Sequence, residues 1–211
     1  MTCPRFLSAL KWILIVFFVF TFSFKTFTFA DPDLGWHLRA GEIVTQTGHA
    51  PQTDPWTYTM QGERWVDHEW LLDAVMWKFF ENGNWVYVQI LFLIAGLLPL
   101  LVWIRRVTHP IELIWISLGG FMLLDIVGVR PQVLSFLLFF VVWEILSHRY
   151  IEKQLHKLFY VLPLLFLVWA NIHAGFVAGL GVFAVCVLFS LYKAYFKNNN
   201  YPSYINILRT D

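Results

Sequence analysis

The chain has 211 residues, 58% of them hydrophobic and only 14% charged, with a mean hydropathy of +0.60, values that exclude an ordinary soluble domain. Fifteen Lys and Arg against fourteen Asp and Glu leave a formal net charge of +1, so the overall balance points to neither nucleic acid nor an acidic partner. The position of charge within this apolar chain is the informative quantity.

A bilayer core about 30 Å thick takes about 20 apolar residues per helix. The first segment of that kind, Phe6–Phe24, is almost entirely Leu, Ile, Val and Phe. Thr28-Phe29-Ala30 loosely resembles a signal-peptide cleavage site. The apolar run is longer than a usual h-region and Phe crowds the site, which favours a span, over 1–24, rather than a cleaved leader.

Two carboxylates follow at once, in Asp31-Pro32-Asp33. Asp33 reads equally as the N-cap of a following helix or as a functional group. Asp31 is harder to explain as a cap, because Pro32 fixes a bend that holds both acids in one local frame. In Leu34–Thr45, Trp36, Ala40, Ile43 and Val44 share a helical face while Arg39, Glu42 and Gln46 turn elsewhere, as in an amphipathic helix on a membrane surface. Residues 48–62 hold two Pro and several β-favouring residues, a turn-rich extended connection. A second helix is expected over Asp67–Phe80, with Leu72, Val75, Met76 and Phe79 on one face, Asp67 as its cap, and Asn82-Gly83-Asn84 as its stop. Residues 25–84 thus form a loop subdomain of two interfacial helices, rich in Trp at headgroup level.

Five more apolar segments lie within 85–197: Trp85–Ile104, Ile111–Ile126, Gln132–Leu146, Leu158–Asn171 and Phe176–Tyr195, followed by a short tail, 198–211. The fold class expected is an all-α polytopic membrane bundle of about six transmembrane helices with an extracytoplasmic loop subdomain. Arg5, Lys11, Arg105, Arg106, Arg149, Lys153, Lys157, Lys193 and Lys197 then fall on one face. The positive-inside rule makes that face cytoplasmic and puts 25–84, 125–130 and 171–175 outside. Cys3 falls on the cytoplasmic side and Cys186 inside a span, a pattern that supports neither a disulfide nor a cysteine metal site. The spans lack an internal repeat and, Glu144 apart, a chain of charged groups, which argues against a transporter.

The polar residues embedded in apolar sequence gather on the outer face, at Asp125, Arg130, Asn171 and His173. An ionisable group deep in a membrane costs about 2.5–3.5 kcal/mol on insertion scales. Asp125 and Arg130 are expected either to neutralise each other or to bind an anion. His37, His68 and Glu69 read as solvated side chains or as part of a site, and Asp67-His68-Glu69 does not match the zinc pattern of two His four apart on a helix. A carboxylate can take a proton from an acceptor hydroxyl, nearby Arg or His can offset the charge of a phosphate leaving group, and an apolar bundle can hold a lipid tail. Together these describe sugar transfer from a lipid-phosphate donor.

Asp31-Pro32-Asp33-Leu34-Gly35-Trp36-His37-Leu38, Gly41, Thr53-Asp54-Pro55-Trp56-Thr57-Tyr58-Thr59, Gly62, Trp65 and His68-Glu69-Trp70-Leu71 resemble the first outer loop of bacterial multi-span GT-C-type glycosyltransferases. Arg130-Pro131-Gln132 and Trp169-Ala170-Asn171-Ile172-His173-Ala174-Gly175 resemble later segments of the same proteins. The resemblance implies an inverting transferase in the inner (plasma) membrane that uses a polyprenyl-phosphate sugar and a cell-envelope glycan, lipid or protein acceptor. The base it implies is an acid of the first outer loop, here Asp33 or Asp31, with Asp33 preferred for its junction with the first interfacial helix. His37, Arg39, His68, Glu69, Arg130, Asn171 and His173 are the substrate-binding candidates. Some relatives use a divalent cation, Mg2+ or Mn2+, which Asp31 and Asp33 would hold here, and others use none. Members of this family carry more spans, so the chain is expected to correspond to their N-terminal part. The competing expectation is a non-catalytic integral membrane protein or lipid-binding subunit derived from that family.

Overall fold

The computed structural model describes residues 4–150 and 157–198; Cys3, Lys153 and the tail beyond Asn198 lie outside them. Among the described residues the regular structure is helical: α1 (Pro4–Thr28), α2 (Leu34–Thr47), α3 (Trp70–Gly83), α4 (Trp85–Arg106), α5 (Pro110–Leu123), α6 (Pro131–Tyr150), α7 (Leu162–Ala170) and α8 (Phe176–Asn198), with a 3-10 turn over Lys157–Val161 before α7. An isolated antiparallel bridge, Thr53 to Arg64, pins the extended connection between α2 and α3.

All six apolar segments are helical, but they differ in reach. Three helices, in α1, α4 and α8, are long and apolar enough to cross a membrane; the 25 residues of α1 rise about 38 Å. The other three are shorter apolar helices, Pro110–Leu123, Pro131–Ser147 and Leu158–Ala170. Proline sets the start of α5 and lies at the start of α7, where its missing N–H costs nothing. Large side chains such as Trp115, Met122 and Leu188 stand exposed on the helix sides, and contiguous apolar surface of that extent is suited to lipid.

Polar ties at both ends fix an alternating up-and-down course. At one end the Lys25 ammonium donates to the Leu124 carbonyl, and the buried Gln89 amide donates to the Thr26 carbonyl at 2.9 Å. At the other, Lys11 Nζ donates to the Arg105 and Val107 carbonyls at 3.1 and 2.5 Å, while Arg106 pairs with Glu144 at 2.5 Å. The bonds from Lys25, Gln89 and Lys11 satisfy carbonyls at helix ends, where an intrahelical partner is lacking. Between the ends, Phe18 and Phe22 of α1 pack against Leu97, Leu100 and Ile104 of α4 and Leu113 of α5. Val142, Ile145 and Leu146 of α6 pack with Leu162 and Trp169 of α7. A further cluster joins Leu72 and Met76 of α3 to Val88, Phe92 and Ala95 of α4 and to Val129 and Val133 at the start of α6. That cluster seats α3 on the bundle.

The second loop helix differs from its expected bounds and face. It begins at Trp70, because the Asp67 carboxylate accepts from the Glu69 N–H at 3.1 Å and holds a turn ahead of the helix. Asp67 therefore does not cap α3; Glu69 occupies the cap position, without a side-chain capping bond. Leu72, Asp73 and Met76 are buried, whereas Val75 and Phe79 are exposed, so the inward face is turned toward a carboxylate. Its stop is the expected one: Asn84 follows Gly83 with φ of 72° and its side chain accepts from the Val86 N–H, starting α4.

Facing α3, α2 buries Ala40, Gly41 and Val44. A Cβ at Gly41 would sit 1.9 Å from the Asp73 carbonyl oxygen, so only hydrogen fits between the two backbones. Gly41→Ala is expected to separate α2 from α3 at a cost of about 1–3 kcal/mol. A lower unfolding midpoint in detergent and faster proteolysis between residues 48 and 69 would report it; a variant as stable and protected as the parent would show that the contact is dispensable.

Candidate functional site

Four chain segments meet at the Lys25 end of the bundle: the α1–α2 turn, the α3 N-terminus, the residues before α6, and the α7–α8 turn. Between the first three lies a cavity of about 560 Å3 lined by Asp31, Asp33, Trp36, His37, Glu69 and Arg130 together with Pro32, Pro131 and Gln132, a volume within the range of small-molecule sites.

Asp31 is the fixed acid of the pair. Its carboxylate forms an ion pair with the Arg130 guanidinium and accepts from the Asp33 N–H at 2.8 Å. Arg130 also donates to the backbone carbonyl of Asp125 at 3.2 Å, so its ionic partner is Asp31 and the expected Asp125–Arg130 neutralisation is replaced. Asp33 occupies the cap position of α2, yet its carboxylate makes no capping bond. That exposed acid faces the cavity free of the backbone duty a cap would give it.

His37, one turn into α2, donates or shares a proton with Asp73 Oδ1 across 2.7 Å. Asp73 is buried, and burial pushes its carboxyl up to about 6 against the downward pull of His37. Burial lowers the His37 pKa, but the hydrogen bond and charge of Asp73, then Glu69 and Asp31, outweigh it and the net shift is upward. The pair fixes the imidazole, with Nδ1 held on Asp73 and the ring lining the cavity.

Glu69 is central. Its two oxygens lie 3.9 Å from His37 Nδ1, 3.5 Å from His68 Nε2 and 3.9 Å from His173 Nε2, near enough for charge but mostly too long for hydrogen bonds. His173 is held from behind: its Nδ1 accepts from the Gly175 N–H at 2.9 Å and lies 2.7 Å from the Ser135 hydroxyl. That hydroxyl accepts from the Trp169 indole at 2.8 Å, which leaves its own proton for His173 Nδ1. An Nδ1 that accepts puts the ring proton on Nε2, facing Glu69. Burial, the leading cause, lowers the His173 pKa and favours this neutral form. A Cβ at Gly175 would lie 2.5 Å from Ser135 Oγ, so this turn closes only on glycine.

Asn171 has a scaffolding place. Its side-chain oxygen accepts from the Trp70 indole at 2.8 Å, its amide donates to the Leu167 carbonyl at 2.7 Å, and its backbone carbonyl accepts from the Leu71 N–H at 3.2 Å. Arg39 pairs with Glu42 on the exposed side of α2 and does not line the cavity. His68 is largely exposed and lines a smaller adjoining space.

Asp73 and Ser135 are site-supporting residues outside every motif quoted from the sequence, whereas Trp169 opens the Trp169–Gly175 run but had no role of its own there. Asp73 carried a signal, being four residues after Glu69 and three before Met76 on one helical face. Ser135 carried none, since it lies 38 residues from His173 and 34 from Trp169.

No model of a known protein family matches this chain, and neither does any curated protein or solved structure. The geometry alone therefore carries the chemical reading. Among the described residues no group of three or more His, Cys, Asp and Glu is placed to hold a metal ion. Asp31 and Asp33 fit a divalent cation poorly, because Arg130 already supplies the positive charge that a cation would bring to Asp31.

Proposed function

We infer that the chain is a membrane-embedded glycosyltransferase of the GT-C type, acting on a polyprenyl-phosphate sugar at the outer face of the inner membrane. The observation that carries the reading is the cavity in which a free carboxylate, Asp33, and a guanidinium-paired one, Asp31 with Arg130, share one wall. A transferase of this kind needs a base for the acceptor and a cation for the departing phosphate.

In the proposed reaction the acceptor hydroxyl gives its proton to the Asp33 carboxylate as its oxygen attacks the anomeric carbon. The bond from that carbon to the phosphate oxygen breaks, its electron pair leaves with the polyprenyl phosphate, and Arg130 offsets the charge. Attack from the face opposite the phosphate inverts the anomeric centre. Asp31 holds Arg130 in position, and His37, oriented by Asp73, aligns the acceptor. Glu69 closes the far side, with the neutral His173 behind it. The donor's isoprenoid tail lies along the exposed apolar sides of the helices.

This reading uses all six apolar helices as spans, the shorter three being accommodated by local thinning of the bilayer. It puts residues 25–84 outside as an extracytoplasmic subdomain. In a background without Cys3 and Cys186, Gln61→Cys is expected to react with an impermeant maleimide on intact cells and His109→Cys only after permeabilisation. Reaction of both from the same side would overturn this topology.

The function itself is tested with the purified full chain in lipid nanodiscs and a panel of radiolabelled polyprenyl-phosphate sugars. Movement of label from the lipid donor to envelope acceptors supports the reading. Binding of the donors without any transfer would favour the lipid-binding alternative and sink the enzymatic one.

A further inference from the structure

Beside the main cavity, and sharing Trp36, His37 and Glu69 with it, lies a space of about 100 Å3 closed by Trp65, Asp67, His68 and Asp73. Such a space holds about three waters at 30 Å3 each, or one small polar group. Asp67 stands in its wall at 8% exposure. Its Oδ1 accepts from the Glu69 N–H, but Oδ2 is buried with no hydrogen-bond partner. A buried carboxylate oxygen without a partner costs stability and demands an explanation.

The charges around it are unequal. Asp73 is matched by His37, and Glu69 has His68 within 3.5 Å, which leaves Asp67 as the acid without a close cation. The remaining walls are indole rings: Trp36 and Trp65 both pack edge-on against Trp56, at centroid distances of 5.3 and 5.4 Å. A carboxylate acceptor beside aromatic rings selects an N–H cation over a neutral hydroxyl, through charge-assisted hydrogen bonding and cation–π attraction.

We propose that this space is a subsite for a primary ammonium group carried by the substrate of the adjoining cavity, with Asp67 Oδ2 as its acceptor and Trp36 and Trp65 as its aromatic walls. The inference rests on the transferase reading only for the role of the larger cavity. A primary ammonium fits the volume of the space, and Asp67 Oδ2 offers an unoccupied acceptor for one of its three donors. An amino sugar and an aminated lipid headgroup both carry this chemistry.

The test reads binding without turnover, so it can fail while sugar transfer stands, and the reverse. The purified full chain is titrated calorimetrically with two matched pairs: glucosamine against glucose, and phosphoethanolamine against glycerol phosphate. The aminated member of one pair is expected to bind at least about tenfold more tightly than its partner, and which pair shows this identifies sugar or headgroup as the source. Asp67→Asn, nearly isosteric, should remove that preference and leave the non-aminated ligand unchanged. Equal binding within both pairs, no binding of either amine, or an unchanged preference in Asp67→Asn overturns the proposal. Displacement of the amine by Mn2+ or Zn2+ with binding at lower concentration would also overturn it, in favour of a metal site.

Discussion

Asp33→Asn is expected to lower sugar transfer by about 10³-fold while insertion, abundance and unfolding midpoint stay at parental values. The amide keeps the shape of the carboxylate and removes its ability to take a proton. Because the Asp33 side chain makes no capping bond, α2 loses no hydrogen bond when it is neutralised. Asp31→Asn should behave differently: it releases Arg130 from its ion pair, so both donor affinity and turnover should change. Arg130→Lys keeps the charge but loses the planar fork that can meet a carboxylate and a phosphate together, and should weaken donor binding more than acceptor binding. Parental transfer rates in Asp33→Asn would remove Asp33 from the mechanism, and His37, whose ring is already aligned by a carboxylate, would then be the base to test.

Asp73→Ala is expected to destabilise the chain by about 3 kcal/mol, the low end of the cost of breaking a buried ion pair because the stranded imidazole can shed its proton. The loss should appear in the α2–α3 region first, as protease sensitivity and earlier hydrogen exchange. The same pair predicts how stability depends on pH. Asp73 rises from 3.8 to about 6 on folding and His37 rises above 6.5, so at these two sites the folded state holds more protons than the unfolded state from about pH 4 upward, and their contribution to stability falls as pH rises. The Asp73 contribution is present below 3.8 and is lost through pH 6; that of His37 is present below 6.5 and is lost through its own raised value. Asp67, also raised by burial, acts in the same direction, while the lowered His173 opposes them and offsets part of the fall. The unfolding midpoint in detergent should therefore drop between pH 4 and 8, with a shallower slope in Asp73→Asn. A midpoint rising over that range would contradict the arrangement.

These expectations differ in how far the sequence alone supports them. The six apolar segments and the stop at Asn84 are legible because hydrophobic runs and end signals act locally. The gathering of Asp31, Asp33, His37, Glu69 and Arg130 around one cavity follows from the alternating course of the helices, which brings the connections at one end together. What escaped was set by packing. The inward face of α3 is fixed by the fit of Gly41 against the Asp73 backbone and by a polar pairing with His37, and an apolar periodicity drawn through Val75 and Phe79 misses both. Arg39 and Asn171 look like site residues by type, yet one satisfies Glu42 on the surface and the other joins two helices. Local spacing does not distinguish these duties, because each depends on a partner whose position is settled only in three dimensions.

The double attachment of Asn171 to the start of α3 also sets an order of events in biosynthesis. Trp70 and Asn171 are 101 positions apart, and at about 5–20 residues per second the ribosome needs several seconds or more to supply the second after the first. During that interval the segment from Asp31 to Glu69 lacks the clamp that later holds it. Nascent chains arrested before residue 171 should therefore leave this segment open to added protease, and release beyond the α7–α8 turn should protect it.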